Sequence, residues 1–175
     1  MMPDSAFNFS WELIGDLQAG RPRLGATMRV EAYRLMLFCL RDVLARKYGV
    51  DETKRLLYEA GVIAGWEFSE HVLGEMTDLP SFMTKLQSAC REMGIGVVEF
   101  EQIDPRGDEF VLTVTEDLDC SGLPDTGTQI CQFDEGFIAA LLEYATEQKY
   151  TVREVDCWAS GARVCRFHAR KITSG

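Results

Sequence analysis

The sequence predicts an α+β domain, an antiparallel sheet packed with helices. Three observations carry this. From Arg29 to Gly94 apolar residues recur at spacings of three and four. From Ile95 to Thr115 the pattern changes to β-branched and aromatic residues around a turn. After one more helical stretch, the chain closes on a second hairpin pattern, so helices and hairpins are segregated rather than alternating as βαβ units.

Residues 1–28 are punctuated by Gly15, Gly20, Pro22 and Gly25 and read as an N-terminal arm; residues 29–175 read as a single domain. A first helix starts at Arg29, with Tyr33, Met36, Leu37, Leu40, Val43 and Leu44 on its apolar face, and ends at Gly49. Asp51 is the expected N-cap of a second helix running to about Leu73. Gly61 and Gly65, four apart on that helix, point to close packing against a neighbour. Ser81 is the expected cap of a third helix, from Phe82 to Met93, stopped by Gly94.

Ile95 to Ile103 and Glu109 to Thr115 form a hairpin around Pro105-Arg106-Gly107-Asp108. Asp117 to Gln129 holds Gly122, Pro124 and Gly127 and must be a loop, long enough for a role beyond connection. Asp134 opens a fourth helix, with Phe137, Ile138, Leu141, Leu142 and Ala145 on its apolar face. Tyr150 to Cys157, a turn at Gly161, and Val164 to Ile172 form the closing hairpin.

Composition bounds the function classes. The chain has 175 residues, enough to bury a core without disulfides, and 46% of them are hydrophobic. A formal net charge of -10 with no basic stripe argues against nucleic acid and against anionic membrane surfaces, both of which recruit cations. Met1 to Ser10 lacks a basic segment followed by an apolar core, so no secretory signal is read and a cytoplasmic location is expected. No apolar run is long enough for a transmembrane helix.

Of the six cysteines, Cys39 and Cys90 lie in helical segments and read as buried small hydrophobes. The other four are in the last third of the chain. Glu154 and Cys157 are three residues apart at the end of a strand, and Cys165 lies eight further on, on the return strand. A tight hairpin brings such positions together, and Cys131 precedes a helix whose start can approach the sheet. Thiolates suit Zn²⁺, and a carboxylate supplies a fourth arm. Four protein ligands leave no open position, which makes such a site structural. Arg153, Arg163 and Arg166 are near in sequence and could offset its negative charge. The bland alternative is two buried thiols on paired strands and a surface Glu. Cys120 is a competing ligand; with it, four cysteines could hold zinc or an iron–sulfur cluster, though the usual cluster spacings are absent.

The run Cys131-Gln132-Phe133-Asp134-Glu135-Gly136-Phe137-Ile138, then Glu154-Val155-Asp156-Cys157-Trp158-Ala159-Ser160-Gly161, then Cys165-Arg166-Phe167, resembles the 4-vinyl-reductase domain family. Gly20 to Gly25 and Tyr33-Arg34-Leu35 look like its stand-alone members. That family is similar to the zinc-containing sensory domains of phenol-responsive transcription activators. Their zinc pattern (one Cys, then Glu-x-x-Cys, then a last Cys) falls here on Cys131, Glu154, Cys157 and Cys165. The resemblance implies a fold like the ligand-binding domains of nitric-oxide signalling and Golgi-transport proteins, and a homodimer. The His and Trp that hold the ligand hydroxyl in the phenol sensors have no matching motif here; His71 and Trp66 are candidates by residue type.

The expected function is therefore a small-molecule-binding sensory domain with a structural zinc. It would take a small hydrophobic or aromatic ligand and signal through a dimer or a partner. Trp66, His71, Phe82 and Phe110 are the candidate ligand contacts, each set against a plain reading as core or, for His71, as a helix C-terminal charge. The alternatives are an accessory of tetrapyrrole enzymes, a redox or metal-centre sensor using Cys120, and a trafficking-type interaction module. No cofactor motif, phosphate loop or His-centred triad is present, so intrinsic catalysis is not expected.

Overall fold

The computed structural model describes residues 8–173. Of the N-terminal arm, residues 1–7 lie outside the described residues. The rest holds a single turn at Trp11–Ile14 and a short helix α1 (Leu17–Gly20), started by Asp16, whose side chain accepts the Ala19 N–H. Two long helices follow, α2 (Val30–Tyr48) and α3 (Val50–Phe68), and α3 unwinds into a wider turn at Ser69–Leu73. Gly49, at φ +88°, both ends α2 and starts α3. It takes the capping place expected for Asp51, which sits inside the first turn. A side chain is strained at that φ, so glycine sets this corner.

Helix α4 (Leu79–Glu92) begins earlier than its apolar pattern implies. Asp78 caps it by accepting the Ser81 N–H at 2.7 Å, so Ser81 is the capped residue and Asp78 the cap. Pro80 tolerates the first turn, where its missing N–H has no helical partner. Strands β1 (Val97–Ile103) and β2 (Glu109–Thr115) form the first hairpin. Helix α5 (Gln132–Thr146) opens directly after Cys131, and β3 (Tyr150–Asp156) and β4 (Cys165–Lys171) close the chain.

The sheet runs β1-β2-β4-β3 with every pairing antiparallel, so the two hairpins join through β2 and β4, where Val114 faces Cys165. Alternation along β3 and β4 turns Tyr150, Val152, Glu154, Cys165, Phe167 and Ala169 inward. Helices α4 and α5 pack on that face with Phe82, Leu86, Cys90, Leu141 and Leu142.

Helices α3 and α5 meet backbone to backbone. A Cβ on Gly61 would stand 2.0 Å from the Phe133 carbonyl oxygen, and one on Gly136 would stand 2.0 Å from that of Tyr58. Gly65 meets the Phe137 carbonyl oxygen in the same way at 2.6 Å. The spaced glycines of α3 thus serve the close packing expected of them.

Helix α2 is different. None of its 19 residues is buried, and Cys39 is exposed with its neighbours rather than tucked into the core. Its apolar stripe is real, but no element of this chain covers it. Among the described residues, no helix is long and apolar enough to cross a membrane.

Candidate metal centre

Four elements deliver four thiols to one point. Cys131 stands at the start of α5, Cys157 directly after β3, Cys165 at the first position of β4, and Cys120 on the loop between β2 and α5. All four are buried, and their sulfurs lie within 4.8 Å of one another. Cys131 Sγ is 3.8 Å from Cys157 Sγ and 3.9 Å from Cys165 Sγ. A tetrahedral Zn²⁺ with Zn–S of ~2.3 Å has S···S edges of ~3.8 Å, so these three sulfurs fit three corners. Cys120 Sγ is closer to Cys165 Sγ, at 2.9 Å. The four cysteines are close enough to hold a metal ion.

Glu154 stands beside the quartet. Its Oε2 accepts the Cys131 N–H at 3.3 Å, while Oε1 is buried with no hydrogen-bond partner. An orphaned buried carboxylate oxygen is costly unless something cationic meets it. Burial and the neighbouring Cys157 push the Glu154 carboxyl up to about 8. Contact with Cys120 first, then with Cys131 and Cys165, draws Cys157 far down toward the thiolate, while the contact with Cys120 holds Cys131 up as the protonated partner. Donor chemistry, sulfur spacing and the orphaned oxygen together fit a soft divalent cation.

The loop bearing Cys120 is fixed from within and from outside. Asp117 Oδ1 accepts the N–H groups of Asp119 (2.9 Å) and Cys120 (2.8 Å), and Trp158 Nε1 donates to the Leu123 carbonyl at 3.0 Å. Helix α2 then straps the loop down. Tyr33 donates to Asp119 at 2.8 Å, and Arg34 donates to the carbonyls of Leu118 (2.7 Å) and Ser121 (2.9 Å). Arg41 donates to the Ile130 carbonyl at 2.8 Å and to Gln132 Oε1. Burial disfavours the Arg41 charge, and the nearby Cys131, Asp119, Cys157 and Glu154 favour it.

The positive charge near the thiols therefore comes from α2. Arg153 pairs with Glu135, Arg163 stacks over Trp158, and Arg166 pairs with Glu101 and Asp156. Their strand neighbours point inward, so alternation turns these arginines out. Tyr33, Arg34 and Arg41 escape a sequence reading because helical periodicity reports the face of α2 but not what it will touch. The only signal was a basic, aromatic patch on an otherwise apolar helix.

A small cavity of about 30 Å³ lies between α4, α5 and the sheet. Leu86, Cys90, Leu112 and Phe137 form its apolar wall, and Asp117 and Asp134 stand at its polar end. Trp66, His71, Phe82 and Phe110 are not brought together around it. Phe82 and Phe110 are fully buried in the core cluster that includes the cavity wall. Trp66 lies part-exposed, edge-on to Tyr144. His71 stacks on Trp11 and pairs with Glu67 at 3.5 Å.

Comparison with known proteins agrees with this architecture. The chain is 27% identical over 150 residues to an uncharacterised protein of Methanocaldococcus jannaschii, covering 85% of this chain and 81% of that one. The phenol-responsive sensory domain of the transcription activator PoxR, solved with phenol, superposes with a TM-score of 0.62 at 14% identity (83% of this chain, 76% of that one). A trafficking protein particle complex subunit 3 from Naegleria fowleri, covalently bound to palmitic acid, gives 0.65 at 13% identity (82% and 95%). An H-NOX protein from S. oneidensis gives 0.56 at 14% identity (93% and 88%). The fold is thus the one that the sequence resemblance implied. The segment that carries β2, the thiol loop, α5 and the closing hairpin, residues 110–171, matches the 4-vinyl-reductase domain family, to which this part of the chain belongs.

Proposed function

We propose that this chain is a small-molecule-binding sensory domain pinned by a structural zinc ion, which takes a small hydrophobic or aromatic ligand and signals through a dimer. The reading is carried by one observation: an apolar cavity inside the helix–sheet interface whose polar end abuts the thiol centre. Zinc would be held by Cys131, Cys157, Cys165 and Glu154, whose unpartnered Oε1 supplies the fourth arm. Cys120 is the competing fourth donor, favoured by its place among the sulfurs. When bound, the ion cross-links α5 to the closing hairpin and neutralises thiolates that burial would otherwise penalise.

The cavity of about 30 Å³ has room for about two waters, at ~10–15 Å³ each. An aromatic ring must therefore part α4 from the sheet, and Phe82 and Phe110 are the candidate aromatics that would move with it. Trp66 and His71 lie outside that path. Helix α2 offers the readout. Leu35, Met36, Leu40 and Val43 form an exposed apolar stripe, and the opposite side is strapped to the thiol loop. A second copy packing on that stripe would feel any shift of the loop. A net charge of -10 disfavours nucleic acid, and six unpaired cysteines fit a reducing, cytoplasmic setting.

The test is elemental analysis of the purified protein combined with thermal unfolding against a phenol and alkylphenol panel. About one zinc per chain and a concentration-dependent rise in Tm for at least one compound are expected; binding at 100 Kd adds ~2.7 kcal/mol. A metal-free folded protein would overturn the zinc, and a Tm indifferent to the whole panel would overturn the phenolic ligand. Light scattering should give a dimer that Leu40→Asp converts to a monomer.

A further inference from the structure

Asp134 lies in the first turn of α5, where a carboxylate ordinarily faces water and stabilises the helix N-terminus. Here the residue is half-buried, but its carboxyl group is enclosed by protein, and Oδ2 has neither solvent contact nor a hydrogen-bond partner. Asp117 faces it from the thiol loop and is buried, with Oδ1 already committed to two backbone N–H groups. One carboxylate oxygen of each, together with Cys131 Sγ, lies within 4.8 Å of the others.

The charge around this trio is unbalanced. Asp119, Glu154 and the other thiols add to it, whereas Arg34 and Arg41 spend their N–H groups on backbone carbonyls and Gln132. Among the described residues, no cationic side chain donates to Asp117 or Asp134. A zinc held by three thiolates and a carboxylate is itself formally anionic and brings no relief. A buried, unpaired carboxylate persists only if something meets it.

We infer that Asp117, Asp134 and the Cys131 sulfur form a second metal site, joined to the thiol centre through Cys131 as a shared ligand. The mixed sulfur and oxygen donors select a borderline divalent cation such as Zn²⁺, Co²⁺ or Fe²⁺ over Mg²⁺ and Ca²⁺. Both carboxylates border the small cavity, which has room for the waters that complete the coordination sphere. The site shares one ligand with the zinc proposed above and rests on that reading to this extent.

The experiment is metal counting by native mass spectrometry and elemental analysis on protein loaded with Zn²⁺ and desalted. Wild type, Asp134→Asn, Asp117→Asn and Cys157→Ser would be compared, with circular dichroism as the check on folding. Two ions per chain in wild type, falling to one in either Asp variant, is the expected result. One ion in wild type that survives Asp134→Asn and is lost with Cys157→Ser overturns the second site and leaves the thiol site standing. No retained ion in wild type overturns both. If the Asp variants do not fold, the wild-type count decides alone: two supports the site and one overturns it.

Discussion

Glu154 and Cys120 compete for one role, and the residue scale is where that is decided. Both are buried beside Cys131, Cys157 and Cys165; one offers an orphaned oxygen and the other a sulfur packed on Cys165. If Glu154 is the fourth ligand, Glu154→Gln should release the zinc while Cys120→Ser retains it. The opposite pattern would assign the arm to Cys120. Cys157→Ser or Cys165→Ser should lose both metal and fold in either case, because a soft ligand is removed and its partners stay buried. Elemental analysis with circular dichroism reads all four variants. The spacing of the three common cysteines and Glu154 was legible in the sequence. Cys120 was legible only as a competitor, because its approach depends on the path of an irregular loop.

At the scale of elements, the α3–α5 crossing is the least forgiving contact. Gly136→Ala would place a Cβ on the Tyr58 carbonyl, with backbone on both sides and no flexible side chain to yield. Overpacking of this kind costs typically ~1–3 kcal/mol, and sometimes more. The better helix propensity of alanine returns ~1 kcal/mol. The net expectation is a loss of about 2 kcal/mol or more in denaturant unfolding, with Gly61→Ala behaving alike. Unchanged stability in both would show that the helices can part freely. Helix α2 is the opposite case: its apolar periodicity is strong, yet the structure leaves that face open and fixes the helix by Tyr33, Arg34 and Arg41 instead. Periodicity identifies a sticky face but is silent on whether the partner is in the same chain.

For the molecule as a whole, buried acids set the pH response. Burial and Asp119 push Asp117 up to about 6 from an ordinary 3.8, and Glu154 rises to about 8 from 4.5. Raised acids bind protons more tightly in the folded state, so metal-free stability falls as pH rises from about 4 through about 8. Zinc reverses the trend, because its ligands must be deprotonated and its affinity grows with pH. Thermal unfolding of the metal-free and zinc-loaded protein across this window should give slopes of opposite sign. Parallel slopes would mean that these acids are not at the metal.

What the sequence determined by itself was local: the order of helices and hairpins, the glycines of close packing, and the positions that a hairpin must bring together. These follow from periods of two and 3.6 residues and from turn chemistry, which act over a few neighbours. The tertiary structure alone decided that Arg34 and Arg41, more than 80 residues away, brace the thiol loop, and that Asp117 and Asp134 meet at the end of a cavity. It also decided that α2 keeps its apolar face outward. Such contacts are fixed by how helices and sheet stack to exclude water, a global condition that no local window of sequence contains.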